Sequence, residues 1–226
     1  MSFSILLVTA TQMEADTFRK ITALNASVSG LCESNGNFKL LVTGVGSIAT
    51  AWTMTRWFSS NPQPDLAINA GIAGSYREEI EIGRVVVPVS DCFADAGVET
   101  EFGFETLAEA GLEKPDGFPF SGGRLFSDNR FVGLASERLR TVNAISVNTS
   151  TGTLATRRRL VNKFDPDIET MEGATFFYIC SREKVPFLAI RSISNIVEAR
   201  DRSRWNIPLA LDNLALELQK FILNIN

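Results

Sequence analysis

Histidine is absent from all 226 residues of the sequence, and this absence excludes several kinds of active site. Serine or cysteine nucleophiles activated by an imidazole are ruled out, and so is the side chain that most often binds transition metals. Any acid–base chemistry must therefore use carboxylates, lysine, tyrosine, cysteine, or water held by these groups.

Basic charge, cysteine and long apolar segments are also scarce. The formal net charge of −4 argues against a nucleic-acid partner, because such partners normally select a basic surface. No stretch approaches the roughly 20 apolar residues that span a bilayer, and no basic start suggests a signal peptide, so we expect no membrane association. Cys32, Cys92 and Cys180 form no CxxC pair, which predicts free thiols in a reducing cytoplasm.

What the sequence does contain fits a globular α/β protein. Short continuous apolar runs, typical of buried parallel strands, alternate with helical segments, and neither a repeat nor a linker interrupts them. We predict a single domain over residues 1–226, with a mostly parallel mixed central sheet flanked by helices. One strand, VVVPVS, is predicted to end at its proline, Pro88.

The first predicted strand, residues 3–9, leads into a helix that starts near Met13. Glu14 therefore lies close to the carboxyl end of a strand and the amino end of a helix. The helix dipole alone favours an acid at this position. On this segment by itself, a structural role for Glu14 stays open beside a catalytic one.

Two glycine-rich turns follow later strands. TGVGS occupies residues 43–47, and the strand predicted for LAINAGIAGS ends in a second small-residue turn at residues 71–74. Backbone amides in such turns can bind an anion or a ribose, and glycine lets a ligand approach the chain closely. The turns alone are a weak signal, and neither completes the GxGxxG pattern of a dinucleotide site.

Residues 91–123 form the least regular segment, in which phenylalanines stand among glycine, proline and acids. These rings either cap the core or form an aromatic wall over a pocket or a subunit interface. The hydroxyl-rich segment 149–153 that follows a later strand offers caps for the next helix.

The most informative segment is residues 167–204, DIETMEGATFFYICSREKVPFLAIRSISNIVEARDRSR. Glu172 opens a predicted helix, an apolar strand follows, and a polar turn is predicted at Ser194 and Asn195. Polar residues at the end of a strand, after a helix led by an acid, are typical of a ligand crevice in an α/β sheet.

Taken in order, Glu14, TGVGS, NAGIAGS, ETMEG and RSISN resemble the nucleoside phosphorylase and nucleosidase superfamily over nearly the whole chain. Methylthioadenosine-type nucleosidases are similar in all five segments, whereas the tail RSISNIVEARDRSRWNIPLALDNL looks more like the futalosine hydrolases. The resemblance implies a hydrolase that releases hypoxanthine from futalosine, a purine nucleoside of menaquinone biosynthesis, and leaves dehypoxanthine futalosine. It implies neither a metal nor an organic cofactor.

The resemblance also implies roles for individual residues. N-glycosidic cleavage passes through an oxocarbenium-like sugar, so it needs an activated water and help for the departing base. Glu14 matches the carboxylate that deprotonates the water, Glu172 matches the acid that binds the ribose 2′ and 3′ hydroxyls, and Met171 matches an apolar contact under the sugar. The predicted base and substrate contacts are Gly71, Ile72, Ala73 and Thr153.

Asn195 stands where adenine-specific nucleosidases have an aspartate. An amide cannot give a proton to N7, but it can donate to a 6-oxo group and accept from a protonated N7. This favours a hypoxanthine-like base. Asp201 is an alternative acid, with Arg200 or Arg202 either holding it or meeting a distal carboxylate of the substrate.

Phosphorylases of this superfamily present arginines to phosphate, but the corresponding segments TATQMEAD and DLAINAG contain no basic residue. A phosphate dianion without arginine or lysine is poorly stabilised, so we expect water to be the nucleophile. The alternatives are a methylthioadenosine/S-adenosylhomocysteine-type nucleosidase, a purine nucleoside phosphorylase, and a nucleoside-binding protein without turnover.

A loop from a neighbouring subunit commonly completes the 5′ end of the pocket in this superfamily. The candidates for that loop are residues 93–104, with Phe102 and Phe104. The resemblance therefore implies a homo-oligomer, a dimer or larger, that binds a small purine nucleoside.

Overall fold

A computed structural model describes residues 3–22, 32–35 and 37–225. Strands alternate with helices along most of these ranges. The strands are β1 (Ile5–Thr9), β2 (Cys32–Asn35), β3 (Phe38–Val42), β4 (Leu66–Ser75), β5 (Val85–Asp91), β6 (Gly97–Thr100), β7 (Gly103–Thr106), β8 (Leu125–Phe126), β9 (Arg140–Ser146), β10 (Ile168–Thr170) and β11 (Phe187–Ile196). The helices are α1 (Gln12–Thr22), α2 (Ser47–Ser60), α3 (Arg130–Ser136), α4 (Leu154–Phe164), α5 (Gly173–Glu183) and α6 (Ile207–Ile225).

Within the described residues, nine strands form one mixed sheet in the order β10-β9-β5-β11-β4-β1-β3-β2, with β8 paired to β5. Parallel pairs join β3 to β1, β1 to β4, β4 to β11, β5 to β9 and β9 to β10. Strand β10 also pairs with β4, so β4, β11, β5, β9 and β10 close on themselves. The predicted α/β class with a mixed central sheet is confirmed.

Helices cover both faces of the sheet, which explains why its central strands are buried and mostly apolar. On one face α1, α3 and α6 pack against side chains such as Leu7 and Ile68, and on the other α2 and α5 pack against Leu6 and Val8. Every residue of β1 is buried, as expected for a strand covered on both faces. The apolar face of α6 also lies in the core, with Leu214 fully buried.

Three sequence-based boundaries were wrong. The small-residue turn predicted at residues 71–74 is part of β4, which continues to Ser75. The other two errors involve strand irregularities. Pro88 lies inside β5, where the pairing with β9 shifts register between Pro88 and Ser90, so the missing N–H breaks no regular ladder. The polar turn predicted at residues 194–195 is part of β11, which continues to Ile196. A register shift between Ile193 and Asn195 places Asn195 opposite Gly74 of β4.

The thiols of Cys92 and Cys180 are buried and free, whereas the side chain of Cys32 lies outside the described part of the chain. Within residues 3–22, 32–35 and 37–225, no helix has the length and apolar character needed to cross a membrane.

Candidate active site

A cavity of about 280 Å³ lies where the carboxyl ends of several parallel strands meet. Its walls come from segments that end or follow β1, β3, β4, β9, β10 and β11, which is where open α/β sheets bind ligands. The structure brings Glu14, Glu172, Met171 and Asn195 together in this cavity. A larger cavity of about 410 Å³, under the segment 92–124, contains none of the predicted site residues.

Glu14 lies in the first turn of α1 with only 6% of its surface exposed. Its Oε2 accepts hydrogen bonds from the backbone N–H groups of Ala10 (3.1 Å) and Thr11 (2.9 Å), and Oε1 accepts one from the N–H of Ile72 (3.2 Å). Gly71 makes room for this carboxylate, because a Cβ there would lie 2.6 Å from Oε1. A carboxylate held by donors alone is suited to accept a proton from water.

Glu172 occupies the position before α5, in direct contact with the glycine turn TGVGS. Its Oε1 accepts a hydrogen bond from the N–H of Gly46 at 2.8 Å. Burial raises the pKa of Glu172, the Gly46 N–H and Arg191 oppose that rise, and the charge of Glu14 adds to it. The Met171 N–H also interacts with this carboxylate, and because Glu172 lines the cavity, its remaining lone pairs can accept from a ligand hydroxyl.

Arg191 is 2% exposed and lies behind the two acids. Its guanidinium donates to the carbonyl oxygen of Asn69 at 2.7 Å and also to the Asn69 side chain. Burial lowers the pKa of Arg191, while the charges of Glu172 and Glu14 favour its charged form. The buried cation therefore offsets part of the negative charge of the site.

Asn195 closes the far end of the cavity. Its Oδ1 accepts a hydrogen bond from Ser194 Oγ at 2.8 Å, and its Nδ2 donates to the carbonyl of Ile196 at 3.1 Å. One N–H and one lone pair of the amide therefore remain for a ligand. The neighbouring Gly74 leaves this end open, because a Cβ there would lie 3.2 Å from Asn195 Nδ2 and 2.8 Å from Val197 Cγ2.

A second buried carboxylate lies behind the helix that carries Glu172. Asp91 accepts a hydrogen bond from Ser146 Oγ at 3.1 Å, and Ser146 in turn accepts one from the N–H of Ala174 at 2.7 Å. Burial raises the pKa of Asp91 to about 7. A Cβ on Gly173 would clash with Asp91 Oδ2, which explains the glycine of the ETMEG segment.

Asp201, Arg200 and Arg202 do not reach the cavity, and we remove them from the site. Asp201 is exposed and caps the short 3-10 helix Arg202–Arg204 by accepting from Ser203 N and Oγ. Arg200 lies over the ring of Trp205, 5.4 Å from its centroid, and it is Trp205 that lines the cavity. Of the two residues considered for assisting the leaving base, Asn195 lines the cavity and Asp201 does not.

Thr153 is also absent from the cavity wall. It is exposed and caps α4, since its Oγ1 accepts a hydrogen bond from the N–H of Thr156 at 3.2 Å. The wall is formed instead by Ser150 and Thr151 of the same hydroxyl-rich segment. The pattern identified the right segment, but helix capping and ligand contact use the same residue types.

Phe102 and Phe104 lie away from the cavity of their own chain. Phe102 is 92% exposed in the turn of the β6–β7 hairpin. Phe104 packs against Phe164, with ring centroids 6.4 Å apart, and under the guanidinium of Arg159.

Several wall residues carried no clear sequence signal. They are polar residues of β10, apolar residues of α1 and α6 whose spacing fits ordinary core packing, and residues of connecting segments. They are Ala10, Thr11, Met13, Glu169, Thr170, Val197, Trp205, Ile207 and Leu211. Among the described residues, no arginine or lysine lines this cavity, and no group of three acids or cysteines could hold a metal ion.

Comparison with known proteins agrees with this geometry. The sequence model of the phosphorylase superfamily matches residues 28–224. A futalosine hydrolase of Streptomyces coelicolor is 30% identical over 220 residues, which cover 92% of this chain and 90% of that protein. A 5′-methylthioadenosine/S-adenosylhomocysteine nucleosidase of Psychromonas ingrahamii is 28% identical, with 86% and 84% covered.

Solved structures give the same result for the fold. A 5′-methylthioadenosine/S-adenosylhomocysteine nucleosidase of Helicobacter pylori, crystallised with butyl-thio-DADMe-Immucillin-A, superposes with a TM-score of 0.84 at 16% identity and covers 99% of both chains. The native futalosine hydrolase of the same species superposes with a TM-score of 0.82 at 17% identity and covers 98% of both.

Proposed function

The chain belongs to the phosphorylase superfamily, and we propose that it hydrolyses a 6-oxopurine nucleoside, with futalosine as the substrate. Its relatives are nucleosidases and futalosine hydrolases, and like them it is an N-glycosyl hydrolase. The proposal depends on one observation: Glu14, Glu172 and Asn195 line a single cavity, within reach of one nucleoside. The products are hypoxanthine and dehypoxanthine futalosine, and we place the reaction in the cytoplasm and in menaquinone biosynthesis.

The reaction begins at Glu14. A water held by its carboxylate attacks the anomeric carbon while the bond to the base lengthens, and the water proton passes to the carboxylate. The positive charge that develops on the sugar is stabilised by the two acids of the site. Glu172 accepts hydrogen bonds from the ribose hydroxyls, and Met171 lies against the sugar.

The leaving base is received by Asn195. The free N–H of its amide donates to the 6-oxo group, and its free lone pair accepts from a protonated N7. The interaction at position 6 favours the departing 6-oxopurine over a 6-aminopurine, whose amino group would face the amide donor. N7 must be protonated by solvent, before or during the reaction, because the amide of Asn195 supplies no proton.

Water is the nucleophile in this proposal, because the cavity wall offers no cation for phosphate. The guanidinium of Arg191, behind the two acids, is buried and already donates to Asn69. A phosphate dianion beside Glu14 and Glu172 would be repelled without a compensating charge.

The test is release of the free base, measured by chromatography, from futalosine, inosine and methylthioadenosine, each with and without phosphate. Hypoxanthine from futalosine without phosphate would support the proposal. Two alternatives have distinct results: adenine from methylthioadenosine would identify the nucleosidase activity named for relatives such as the Psychromonas ingrahamii protein, and phosphate-dependent release would identify a phosphorylase.

Replacing Asn195 by aspartate should reverse the base preference. An aspartate can give a proton to N7 and accept from a 6-amino group, whereas it repels a 6-oxo oxygen when ionised. We expect hypoxanthine release to fall about 100-fold and adenine release to rise, because donor and acceptor exchange roles in two hydrogen bonds to the base. Ser203→Ala, on the exposed segment nearby, is the matched control, and an unchanged preference in Asn195→Asp would contradict the assignment.

We also propose a homo-oligomer in which the β6–β7 hairpin of one subunit reaches the cavity of another. Apolar side chains are exposed in one chain at the cavity and on the adjoining helix α2. Met13 is 60% and Val45 56% exposed at the cavity, and Ile48 is 85% and Trp52 56% exposed on α2. Apolar surface of this extent marks a contact site. The matching ring is Phe102 at the tip of the hairpin.

Replacing Phe102 by serine should therefore weaken substrate binding more than turnover. We expect KM to rise about tenfold with a smaller change in kcat, because the ring contacts the 5′ group and not the reacting atoms. Leu223→Ser, which changes another exposed apolar residue, should leave KM unchanged. Light scattering that finds a monomer at assay concentration would contradict the proposal.

A further inference from the structure

Glu169 is a buried acid in the cavity wall that the mechanism above does not use. It lies in β10, is 7% exposed, and contributes to the cavity lining. None of the ion pairs formed by the described residues includes it. A buried carboxylate without a cation needs hydrogen-bond donors.

Three donors from the protein satisfy most of its capacity. Oε2 accepts from the hydroxyl of Tyr76 at 2.6 Å and from Thr151 Oγ1, and Oε1 accepts from the N–H of Thr151 at 2.9 Å. Burial, and then the charge of Glu169, raise the pKa of Tyr76, so the phenol remains a donor. Oε2 thus has two donors but Oε1 only one, which leaves an acceptor site on Oε1.

The position of Glu169 relative to Asn195 is fixed by strand register. Gly74 of β4 pairs with Glu169 on one side and with Asn195 on the other. Adjacent strands are about 4.8 Å apart, so the Cα atoms of Glu169 and Asn195 are roughly 10 Å apart. Gly74 lies between them and has no side chain, which leaves a flat floor. A purine lying on that floor would meet Asn195 at one edge and Glu169 at the other.

We propose that Glu169 accepts the N1–H of a 6-oxopurine and is a specificity-determining residue of this enzyme. The inference rests on the proposed function, because it assigns the second polar edge of the same base. A 6-oxopurine carries hydrogen on N1, which the free lone pair of Oε1 accepts. A 6-aminopurine presents a bare N1, so two acceptors would face each other in a buried place and neither would be satisfied.

A purely structural role for Glu169 predicts a different result. In that case the carboxylate only holds Thr151 and Tyr76 in place, and its loss would impair every substrate alike. Selectivity between two bases on the same sugar therefore separates the two roles, because packing defects do not depend on whether N1 carries a proton.

The experiment measures kcat/KM of Glu169→Gln for futalosine and for its 6-amino counterpart, which share the 5′ group. Glutamine keeps the size and an acceptor oxygen for Thr151, and its NH2 can donate to a bare N1. We expect futalosine hydrolysis to fall at least about tenfold and the 6-oxo to 6-amino ratio to fall about 100-fold. Tyr76→Phe is the matched control: it removes one donor to Glu169, and both substrates should be affected equally.

The outcomes keep this inference apart from the proposed function. A wild-type preference for futalosine that Glu169→Gln leaves intact would overturn the role of Glu169 and leave the function standing. A wild-type preference for the 6-amino substrate would overturn both. If the wild type hydrolyses neither, the function fails, and calorimetry with hypoxanthine and adenine still decides: hypoxanthine selectivity lost in Glu169→Gln supports the inference, and equal binding of the two bases by the wild type overturns it.

Discussion

Replacing Glu14 by glutamine should abolish hydrolysis while nucleoside binding stays measurable. An amide cannot take the proton of the attacking water, and removal of a general base costs about 100- to 10,000-fold in rate. The loss should appear in kcat, because the carboxylate contributes to the transition state and little to the ground state. Single-turnover measurement of base release, together with calorimetry of ligand binding, checks this prediction.

The surroundings of Glu14 define the controls for that experiment. Its Oε2 accepts from two backbone N–H groups and from Thr11 Oγ1, so glutamine will place its oxygen there and turn its NH2 toward the N–H of Ile72. This costs some stability, which urea unfolding measures separately. Asp16→Asn, an exposed acid on the same helix, is the matched control. Unchanged turnover in Glu14→Gln would sink the assignment of the base.

The fold and the acids of the site could be predicted from the sequence because they depend on local patterns. Continuous apolar runs identified strands such as β1 and β4. An acid near the start of a helix made Glu14 and Glu172 candidates, and the ordered motifs that resemble the superfamily supplied their roles. A parallel sheet brings the carboxyl ends of its strands to one edge, so residues found separately along the chain meet in one cavity.

The base end of the cavity could not be predicted in the same way, because it depends on long-range pairing. Glu169 lies in a strand of three residues whose partner β4 is distant in sequence, and its position opposite Asn195 follows from strand register. No local sequence pattern distinguishes an acid that is buried and faces a ligand from an acid that is exposed to solvent. Asp201 shows the reverse case. Its position a few residues after Asn195 suggested a role in the site, but its side chain caps an exposed 3-10 helix and does not reach the cavity.

Replacing Glu172 by glutamine should give the second large loss, and it should depend on the ribose hydroxyls. A carboxylate accepts from both hydroxyls of a vicinal diol, and hydrogen bonds to a charged group contribute about 1.5–3 kcal/mol each. We expect kcat/KM for inosine to fall about 100- to 1,000-fold, and that for 2′-deoxyinosine to fall far less. Measuring both substrates with both proteins isolates the interaction between Glu172 and the 2′ hydroxyl, because a general disturbance of the site would lower kcat/KM equally for the two substrates.

The pH dependence of hydrolysis gives an independent check on Glu172. Burial raises its pKa above the ordinary value of a glutamate, so the ionised acceptor is present at high pH and is lost as the pH falls through the raised pKa. Wild-type kcat/KM for inosine should therefore decline on the acid side at a pH higher than a solvent-exposed glutamate would give, and this limb should be missing in Glu172→Gln. An acid limb that persists unchanged in the variant would assign it to another group and remove the ionised Glu172 from ribose binding.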